Sequence, residues 1–227
     1  MSRAAVLAGA LLLGATVAAA QATADTLAQA QRLYEELEIE RALPLLRRLA
    51  SPDWPFEVSP DQRTDIYLYL GASLALLGRS DSAVTAFRRA IEQNAFAQLD
   101  QQRFTPAQLA LFAQARRRTL AVGARPVRPG RYDPRTERIM FAVVTSHAAR
   151  LRVELRRPGS AAPGVLFSGD ADGPRDVPWD GLAGGTLAPP GRYELVVSGL
   201  SRVLPREDSA RVYFDLQHVV APLEDTL

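Results

Sequence analysis

The chain has 227 residues, of which 27 are Lys or Arg and 25 are Asp or Glu, so its formal net charge is +2. Hydrophobic residues make up 47% and charged residues 23%, values that exclude a wholly disordered chain. The cations are all arginine and are spread along the chain, so no basic track predicts nucleic-acid binding. Cysteine is absent, which excludes disulfides, thiolate metal sites and cysteine nucleophiles.

Residues 1–22 have the pattern of a cleaved export signal. Arg3 precedes the uncharged stretch Ala4–Ala20, and the sequence AQA at its end fits the small-x-small rule, with cleavage before Thr23. The stretch is near the lower length limit of a membrane-spanning helix, so an uncleaved anchor is the alternative. We expect membrane contact only if Ala4–Ala20 is retained. Both alternatives place the rest of the chain outside the cytoplasm, and we expect a periplasmic or secreted protein.

Apolar residues recur at helical spacing from Asp25 to Val122, which predicts five helices. Pro44 is best tolerated if the second helix begins near Arg41, because a first-turn proline loses no hydrogen bond. Gly78 is a C-terminal stop for the third helix. We expect the third helix over Asp61–Leu77. The fourth helix is expected to have its cap at Ser80 or Asp81 and to end near Gln93. The fifth is expected to run from Thr105-Pro106 to about Val122.

The segment TDIYLYLGASLALLGRSDSAVTAFRRAIEQNA, which begins at Thr64, places large and small residues in a fixed order. Tyr67 and Phe87 are the large aromatic residues, Gly71 and Ala83 let the helices approach closely, and Ala90 is a second small residue. In these positions the third and fourth helices resemble a tetratricopeptide repeat. A small helical bundle without repeat ancestry remains the alternative.

The first two helices match that pattern less well when they are aligned from Thr23. The offset is 64 − 23 = 41 residues, against a family period of about 34, so the Pro-rich segment SPDWPFEVSP is an insertion of roughly seven residues. Leu49 stands where a small residue is expected, and Ala95 replaces the family's terminal proline. Because a stacked array needs about three units, we expect the fifth helix to supply the missing packing partner.

The resemblance to repeat modules implies a partner-binding groove lined by the first helix of each pair. With only two repeats this groove would be shallow, and each of its residues could equally be ordinary surface or inter-helix packing. The partner-binding positions that the resemblance implies are Gln31, Tyr34, Glu35, Asp65, Leu68 and Ala72.

The composition changes after Val122. We predict a Pro/Gly/Arg linker at 123–134, followed by alternating apolar residues and turn signals that favour an antiparallel β-sandwich at 135–219. A polar tail is expected at 220–227. Separate strands are predicted around Ile139–Val143, Leu151–Leu155, Tyr193–Val197 and Val212–Leu216.

One segment of this region, VPWDGLAGGTLAPPGRYELVV, is more specific. Together with the preceding strands it resembles the Ig-like domain of the flagellar hook-capping type over about residues 135–217. The resemblance implies adhesion or assembly work, with no catalytic residues to carry over. In this interpretation Trp179 is a core plug, Gly181 a turn residue and Tyr193 an inward-facing aromatic.

Residues suited to catalysis or metal binding are few. His147 and His218 are expected at strand ends, away from any other ligand at i, i+4 spacing, and are interpreted as structural or exposed. The acidic segment SGDADGPRDVPWDG is cut short by Pro174 and no Glu closes it, so it predicts a solvated loop containing Asp170, Asp172, Asp176 and Asp180. No nucleophile elbow or phosphate loop is present. We therefore predict no catalytic residue, no metal, no cofactor and no small-molecule substrate.

These observations predict an α+β multidomain chain, in which a tetratricopeptide-like α-helical repeat domain at 23–122 precedes an Ig-like antiparallel β-sandwich. The predicted function is that of an exported, non-catalytic scaffold or adaptor with a protein partner in the bacterial cell envelope. One alternative is a carbohydrate- or cell-wall-binding module that uses loop aromatics such as Trp179 and Tyr132. Another is an accessory subunit of a membrane complex, held by an uncleaved N-terminal helix.

Overall fold

The computed structural model describes residues 21–126, 131–133, 137–157 and 164–219. The predicted signal up to residue 20 and the predicted tail 220–227 lie outside these residues. The chain divides into two compact units, one up to Arg116 and one from Arg117 onward. The helices of the first unit are α1 (described over 21–35), α2 (Ile39–Leu49), α3 (Pro60–Leu76), α4 (Ser80–Gln93) and α5 (Pro106–Arg117). The strands are β1 (Val122–Pro126), β2 (Arg131–Tyr132), β3 (Ile139–Arg156), β4 (Gly164–Trp179), β5 (Leu182–Ala183), β6 (Thr186–Leu187), β7 (Gly191–Ser201) and β8 (Glu207–His218).

Gly78 ends α3 as the sequence predicts. Its φ of +71° is a left-handed conformation that glycine adopts without steric cost. The Gly78 N–H donates to the Ala75 carbonyl (3.0 Å) and the Arg79 N–H donates to the Leu74 carbonyl (2.9 Å). These two bonds are those of a Schellman motif, which satisfies carbonyls at the end of a helix.

The turn between α1 and α2 has the same hydrogen bonds but contains no glycine. The Leu37 N–H donates to the Tyr34 carbonyl (3.0 Å), and the Glu38 N–H donates to the Leu33 carbonyl (2.8 Å). Leu37 is at φ +61°. Its separation from Gly78 is 78 − 37 = 41 residues, which equals the offset inferred from the sequence.

The close approach of α3 and α4 confirms the roles predicted for their large and small residues. Ala83 and Phe87 are both fully buried. A Cβ on Gly71 would lie 2.6 Å from the Phe87 ring, so the helices can pack at this distance only because Gly71 has no side chain. Phe87 also packs edge-to-face against Phe112 of α5, with ring centroids 5.4 Å apart.

The limits of three helices differ from the prediction. Pro44 lies inside α2 rather than in its first turn, because the Leu37 turn starts the helix at Ile39. Arg79, without a side-chain capping bond, is the N-cap of α4. Helix α5 ends at Arg117 and not near Val122, since Val122 already belongs to the sheet.

The second unit is a curled sheet with strand order β1-β3-β7-β8-β2, and β4 pairs with the other edge of β3. All pairs are antiparallel except the short β2–β8 pair. The first half of β3 pairs with β1 and its second half pairs with β7. This brings Phe141 of β3 against Phe214 of β8, with ring centroids 5.2 Å apart, and encloses the core.

β3 is one long strand where the sequence predicts two, around Ile139–Val143 and Leu151–Leu155. A break in register between Thr145 and Ala149 bends β3 without ending it, since its residues 144–149 contain no Gly or Pro. The Thr145 hydroxyl donates to the His147 carbonyl (2.8 Å), and Nε2 of His147 lies 2.7 Å from Oγ of Ser201. His147 is therefore buried in the middle of a strand, not at a strand end, while His218 is the last residue of β8.

The segment predicted as a linker begins with a strand. Residues 122–126 form β1, whose Ala124 pairs with Val143. A Cβ on Gly199 would lie 2.6 Å from Cγ1 of Val122, so Val122 fills the space over this glycine. The Val122 N–H also donates to Oδ2 of Asp208 (2.8 Å). The β unit thus begins before residue 123.

The positions predicted for three residues of the most specific segment are confirmed. Trp179 and Tyr193 are 3% and 2% exposed, with ring centroids 5.7 Å apart, and Gly181 is at φ +79° in a turn. The Trp179 indole donates to the Leu182 carbonyl and the Tyr193 hydroxyl donates to the Pro189 carbonyl. Both aromatic residues are therefore buried with their polar atoms hydrogen-bonded.

The acidic segment differs from the predicted loop, because most of it is strand β4. Gly173 at φ +87° allows an irregularity there. Asp170 forms an ion pair with Arg202 at 2.6 Å, and Asp180 accepts a hydrogen bond from the Leu182 N–H. These carboxylates thus serve the sheet and its turns.

Candidate functional site

An aromatic cluster joins α1, α3 and the connection between α4 and α5. Tyr34 packs edge-to-face on Tyr69, with ring centroids 5.2 Å apart. Phe104 contacts both rings, at 5.9 Å from Tyr34 and 5.8 Å from Tyr69. All three side chains are buried, so this cluster holds the connection against the first helices of the two hairpins.

Gln108 is the polar centre of the site. Its side chain is 1% exposed and its Nε2 donates both to the Tyr34 hydroxyl (2.7 Å) and to the Ala72 carbonyl (2.9 Å). Its Oε1 accepts from the Thr105 N–H (2.7 Å), as in a capping box at the start of α5. Because every polar atom of the amide has a partner, Gln108 fixes α5 to α1 and α3 at little cost of burial.

Arg103 places a charge at the edge of the cluster. Its guanidinium donates to the Tyr69 hydroxyl (2.9 Å) and forms an ion pair with Glu35. Both charged side chains are about half exposed, at 51% and 52%, so the pair is screened by solvent and contributes little to stability. It is a polar feature that a partner can reach.

Burial disfavours the charged forms of three side chains at or near the site. Burial raises the pKa of Tyr34 and of Tyr69, so both hydroxyls stay protonated at neutral pH. Burial also raises the pKa of Asp65, with the nearby Asp61 carboxylate adding to the effect. Neutral tyrosines and a satisfied amide can orient and bind a ligand, but they provide no activated nucleophile.

A cleft of about 280 Å³ opens beside this cluster. It lies between the ends of α1 and α3 and the start of α5. Leu37 and Leu76 are its exposed apolar residues, at 75% and 40% exposure. Its lining residues are Tyr34, Glu35, Leu37, Leu76, Arg103, Thr105 and Gln108.

The structure brings together only part of the six sequence-predicted positions. Tyr34 and Glu35 line the cleft, and the Ala72 carbonyl accepts from Gln108. Tyr34, Leu68 and Ala72 are buried and Gln31 and Asp65 half-buried, whereas Glu35 is exposed. Partner binding by these residues stays a prediction, and in this conformation Glu35 offers the most accessible side chain.

Sequence reasoning missed five lining residues of the cleft, namely Leu37, Leu76, Arg103, Thr105 and Gln108. Leu37 had a signal in the sequence, since the 41-residue offset aligns it with Gly78. Arg103 and Gln108 had none, because their contacts with Glu35 and Tyr34 join residues that are 68 and 74 positions apart.

Among the residues that the structure describes, no group of three or more His, Asp or Glu side chains is arranged to hold a metal ion. Over the same ranges, no helix has both the length and the apolar character needed to cross a membrane. No protein-family model matches the chain, and no curated protein is significantly similar to it.

Proposed function

We propose that this chain is an exported, non-catalytic scaffold or adaptor of the bacterial cell envelope, which binds a protein partner through its helical unit. The observation that carries the proposal is the cleft beside Tyr34. Its rim combines exposed apolar side chains with the half-exposed Glu35–Arg103 pair. Protein interfaces combine apolar contact with polar groups at the rim in this way.

The internal repetition of the helical unit supports its interpretation as tetratricopeptide-like. Two helical hairpins have the same turn hydrogen bonds at an offset of 41 residues. Gly71 and Phe87 stand at the positions where that family places small and aromatic residues. For the second unit, the buried Trp179 and Tyr193 support an Ig-like relationship.

Export is proposed from the N-terminal sequence, with cleavage before Thr23. The alternative, an accessory subunit of a membrane complex, requires that Ala4–Ala20 be retained. The intact mass of the chain recovered from cells distinguishes these two proposals.

Site-specific photocrosslinking in intact cells tests the proposed function. A photoreactive residue at position 37, in the cleft, is compared with one at position 203, since Val203 is similarly exposed (62%) on the β unit. The proposal expects one dominant protein adduct from position 37 and none from position 203. If neither position gives a protein adduct, the scaffold function is wrong.

A second candidate function, carbohydrate or cell-wall binding, is favoured by a cavity of about 730 Å³ on the outer face of the sheet. Arg152 pairs in register with Ser168 on β4 and Ser198 on β7, and Ser198 pairs with Ser209 on β8. Guanidinium and hydroxyl donors in one row suit an acidic, hydroxyl-rich ligand. This surface differs from the predicted loop aromatics, since Trp179 is buried and the Tyr132 side chain is outside the described residues.

Retention on isolated cell wall tests this second function. If the sheet face binds, Arg150→Ala should reduce retention, because Arg150 lines the cavity and forms no ion pair with any residue the structure describes. Arg192→Ala is the control, since Arg192 is an exposed residue of β7 that does not line the cavity. Equal retention of the wild type and Arg150→Ala would count against the sheet face.

A further inference from the structure

Leu37 stands in a conformation and an environment that the fold does not require. A left-handed conformation is unfavourable for an ordinary L-residue because its Cβ crowds the following carbonyl oxygen, and the Leu37 side chain is 75% exposed. The equivalent turn of the second hairpin has the same hydrogen bonds with Gly78, which has neither disadvantage. Strained residues that persist in folded proteins cluster at functional sites.

The surroundings of Leu37 indicate what its side chain does. Leu37 and Leu76 line the same cleft, although 39 residues separate them (76 − 37). Leu77 is exposed to a similar extent, 37% against 40% for Leu76, but does not line the cleft. Leu37 and Leu76 therefore form a two-leucine rim, with Tyr34 and Gln108 behind it.

The chain segment that carries Leu37 is rich in negative charge. Four glutamates flank Leu37 within the sequence EELEIE. Two of them have cationic partners, Glu35 with Arg103 and Glu38 with Arg41. The other two, Glu36 and Glu40, are exposed and form no ion pair with any residue that the structure describes. A cationic partner would therefore be attracted to the rim and an anionic one repelled.

We infer that the two-leucine rim is the docking site for a basic segment of a partner protein, with one large apolar side chain inserted between Leu37 and Leu76. Arg or Lys residues on either side of that side chain pair with Glu36 and Glu40. The inference rests on the proposed scaffold function and specifies its partner chemistry. It also explains why a leucine is kept in a turn where glycine suffices.

Fluorescence anisotropy with labelled peptides tests the inference on the full chain. The probe is the peptide Gly-Arg-Ser-Arg-Phe-Ser-Arg-Gly, compared with the same peptide carrying Ser for Phe and with one carrying Glu for each Arg. Leu37→Gly and Leu76→Ser are the rim variants and Leu77→Ser is the matched control. Leu37→Gly is informative because it removes the side chain while relieving the backbone, so we expect the variant to stay folded, and its denaturation curve checks this before binding is measured.

The expected result is saturable binding of the basic phenylalanine peptide and at least tenfold weaker binding of the other two. Leu37→Gly and Leu76→Ser should each weaken binding at least tenfold, and Leu77→Ser should leave it unchanged. Equal affinity of wild type and Leu37→Gly, preference for the acidic peptide, or no binding of any peptide would each overturn the inference. A protein adduct at position 37 in cells, combined with any of these results, leaves the scaffold function standing and rejects only the basic partner. Self-association that is lost in Leu37→Gly would instead identify a second copy of the chain as the occupant, and would likewise overturn the inference.

Discussion

Gly71 shows how one residue can reverse an ordinary helix preference. Ala in place of Gly within a helix normally gains about 1 kcal/mol, but here the new Cβ would meet the Phe87 ring at 2.6 Å. The ring is fully buried and packs against Phe112, so it cannot move aside, and overpacking costs about 1–3 kcal/mol. We expect Gly71→Ala to lower the free energy of unfolding by about 1–2 kcal/mol in urea titrations.

The control for this prediction is the double variant Gly71→Ala, Phe87→Leu. Leucine occupies less space beside Gly71, so the alanine should cost less in the Phe87→Leu background than in the wild type. Additive effects of the two substitutions would mean that the Phe87 ring is not the source of the cost.

Thr23 is the residue at which the mature chain is predicted to begin, and it is fully buried. Its hydroxyl donates to the Glu57 carbonyl (2.9 Å) and accepts from the Trp54 indole N–H (2.9 Å), which anchors the Pro-rich insertion to α1. Thr23→Val keeps the shape but removes both bonds, so we expect about 1–3 kcal/mol of destabilisation and a shift in tryptophan emission. Thr85→Val removes only an exposed bond to the Asp81 carbonyl, and its effect should stay within about 0.5 kcal/mol.

At the scale of elements, the two helical turns make a matched pair. Leu37→Gly removes the strain of a left-handed leucine, and we expect it to raise the free energy of unfolding by up to about 1 kcal/mol. Gly78→Ala introduces the same strain and should lower it by about 1 kcal/mol. Chemical denaturation of both variants measures whether the free energy of unfolding rises for Leu37→Gly and falls for Gly78→Ala. A destabilised Leu37→Gly protein would mean that the leucine contributes contacts the turn needs.

Arg152, Glu154 and Arg156 form a row of paired charges, here called the charge ladder, on the outer face of the sheet. This ladder makes the stability of the fold depend on pH. Glu154 is 9% exposed and accepts from Arg152 (2.6 Å) and Arg156 (2.7 Å). Hydrogen bonds from Arg156 and then Arg152 lower the pKa of this carboxyl. Because the folded pKa lies below the unfolded one, the stabilisation is present above the ordinary glutamate value of about 4.3 and is lost as the pH falls through the folded pKa.

Thermal unfolding at pH 7 and at progressively lower pH measures this contribution. The difference in melting temperature between wild type and Glu154→Gln should be greatest at pH 7 and shrink as the solution becomes acidic. Salt should reduce it, since both arginines are about half exposed. Glu207→Gln is the control, because Glu207 is exposed and forms no ion pair with any described residue. A difference that does not change with pH would exclude the ladder as its cause.

The elements predicted from sequence match the structure best where the signals act between residues close together in the chain. Local signals identified α3 and α4, since Gly78 and the Thr64–Ala95 pattern act within one hairpin. The continuity of β3 was missed because strand breakers mark turns, whereas a bend at Thr145 leaves no such mark. In the candidate site, Tyr34 and Glu35 were implied by the resemblance to a tetratricopeptide repeat, but Arg103 reaches Glu35 only through tertiary packing. Contacts across long sequence separations are what the pattern of residues leaves open.

At the scale of the whole molecule, the chain contains two units with separate cores. In the β unit, fifteen buried apolar side chains form one cluster that extends from Val122 to Leu216. The helical unit has its own core, which includes Leu46, Phe87 and Ile91 among its fully buried side chains. Since a domain with its own core can fold alone, we expect each unit to unfold cooperatively when it is expressed by itself.

The limits of the β unit test this expectation most sharply. A fragment of residues 117–219 retains β1, which supplies five paired residues to β3 and places Val122 over Gly199. A fragment that starts at residue 135, where the sequence predicted the β-sandwich to begin, lacks β1, leaves an edge of β3 unpaired and opens a cavity at the Val122 position. The loss of a large buried apolar side chain alone costs about 2–5 kcal/mol, which is comparable with the total stability of a small domain. Circular dichroism and thermal melting should therefore find a cooperative transition for 117–219 and a weakened or absent one for 135–219. Within 117–219, Val122→Ala should lie between the two, and equal melting temperatures for both fragments would mean that β1 is not part of the folding unit.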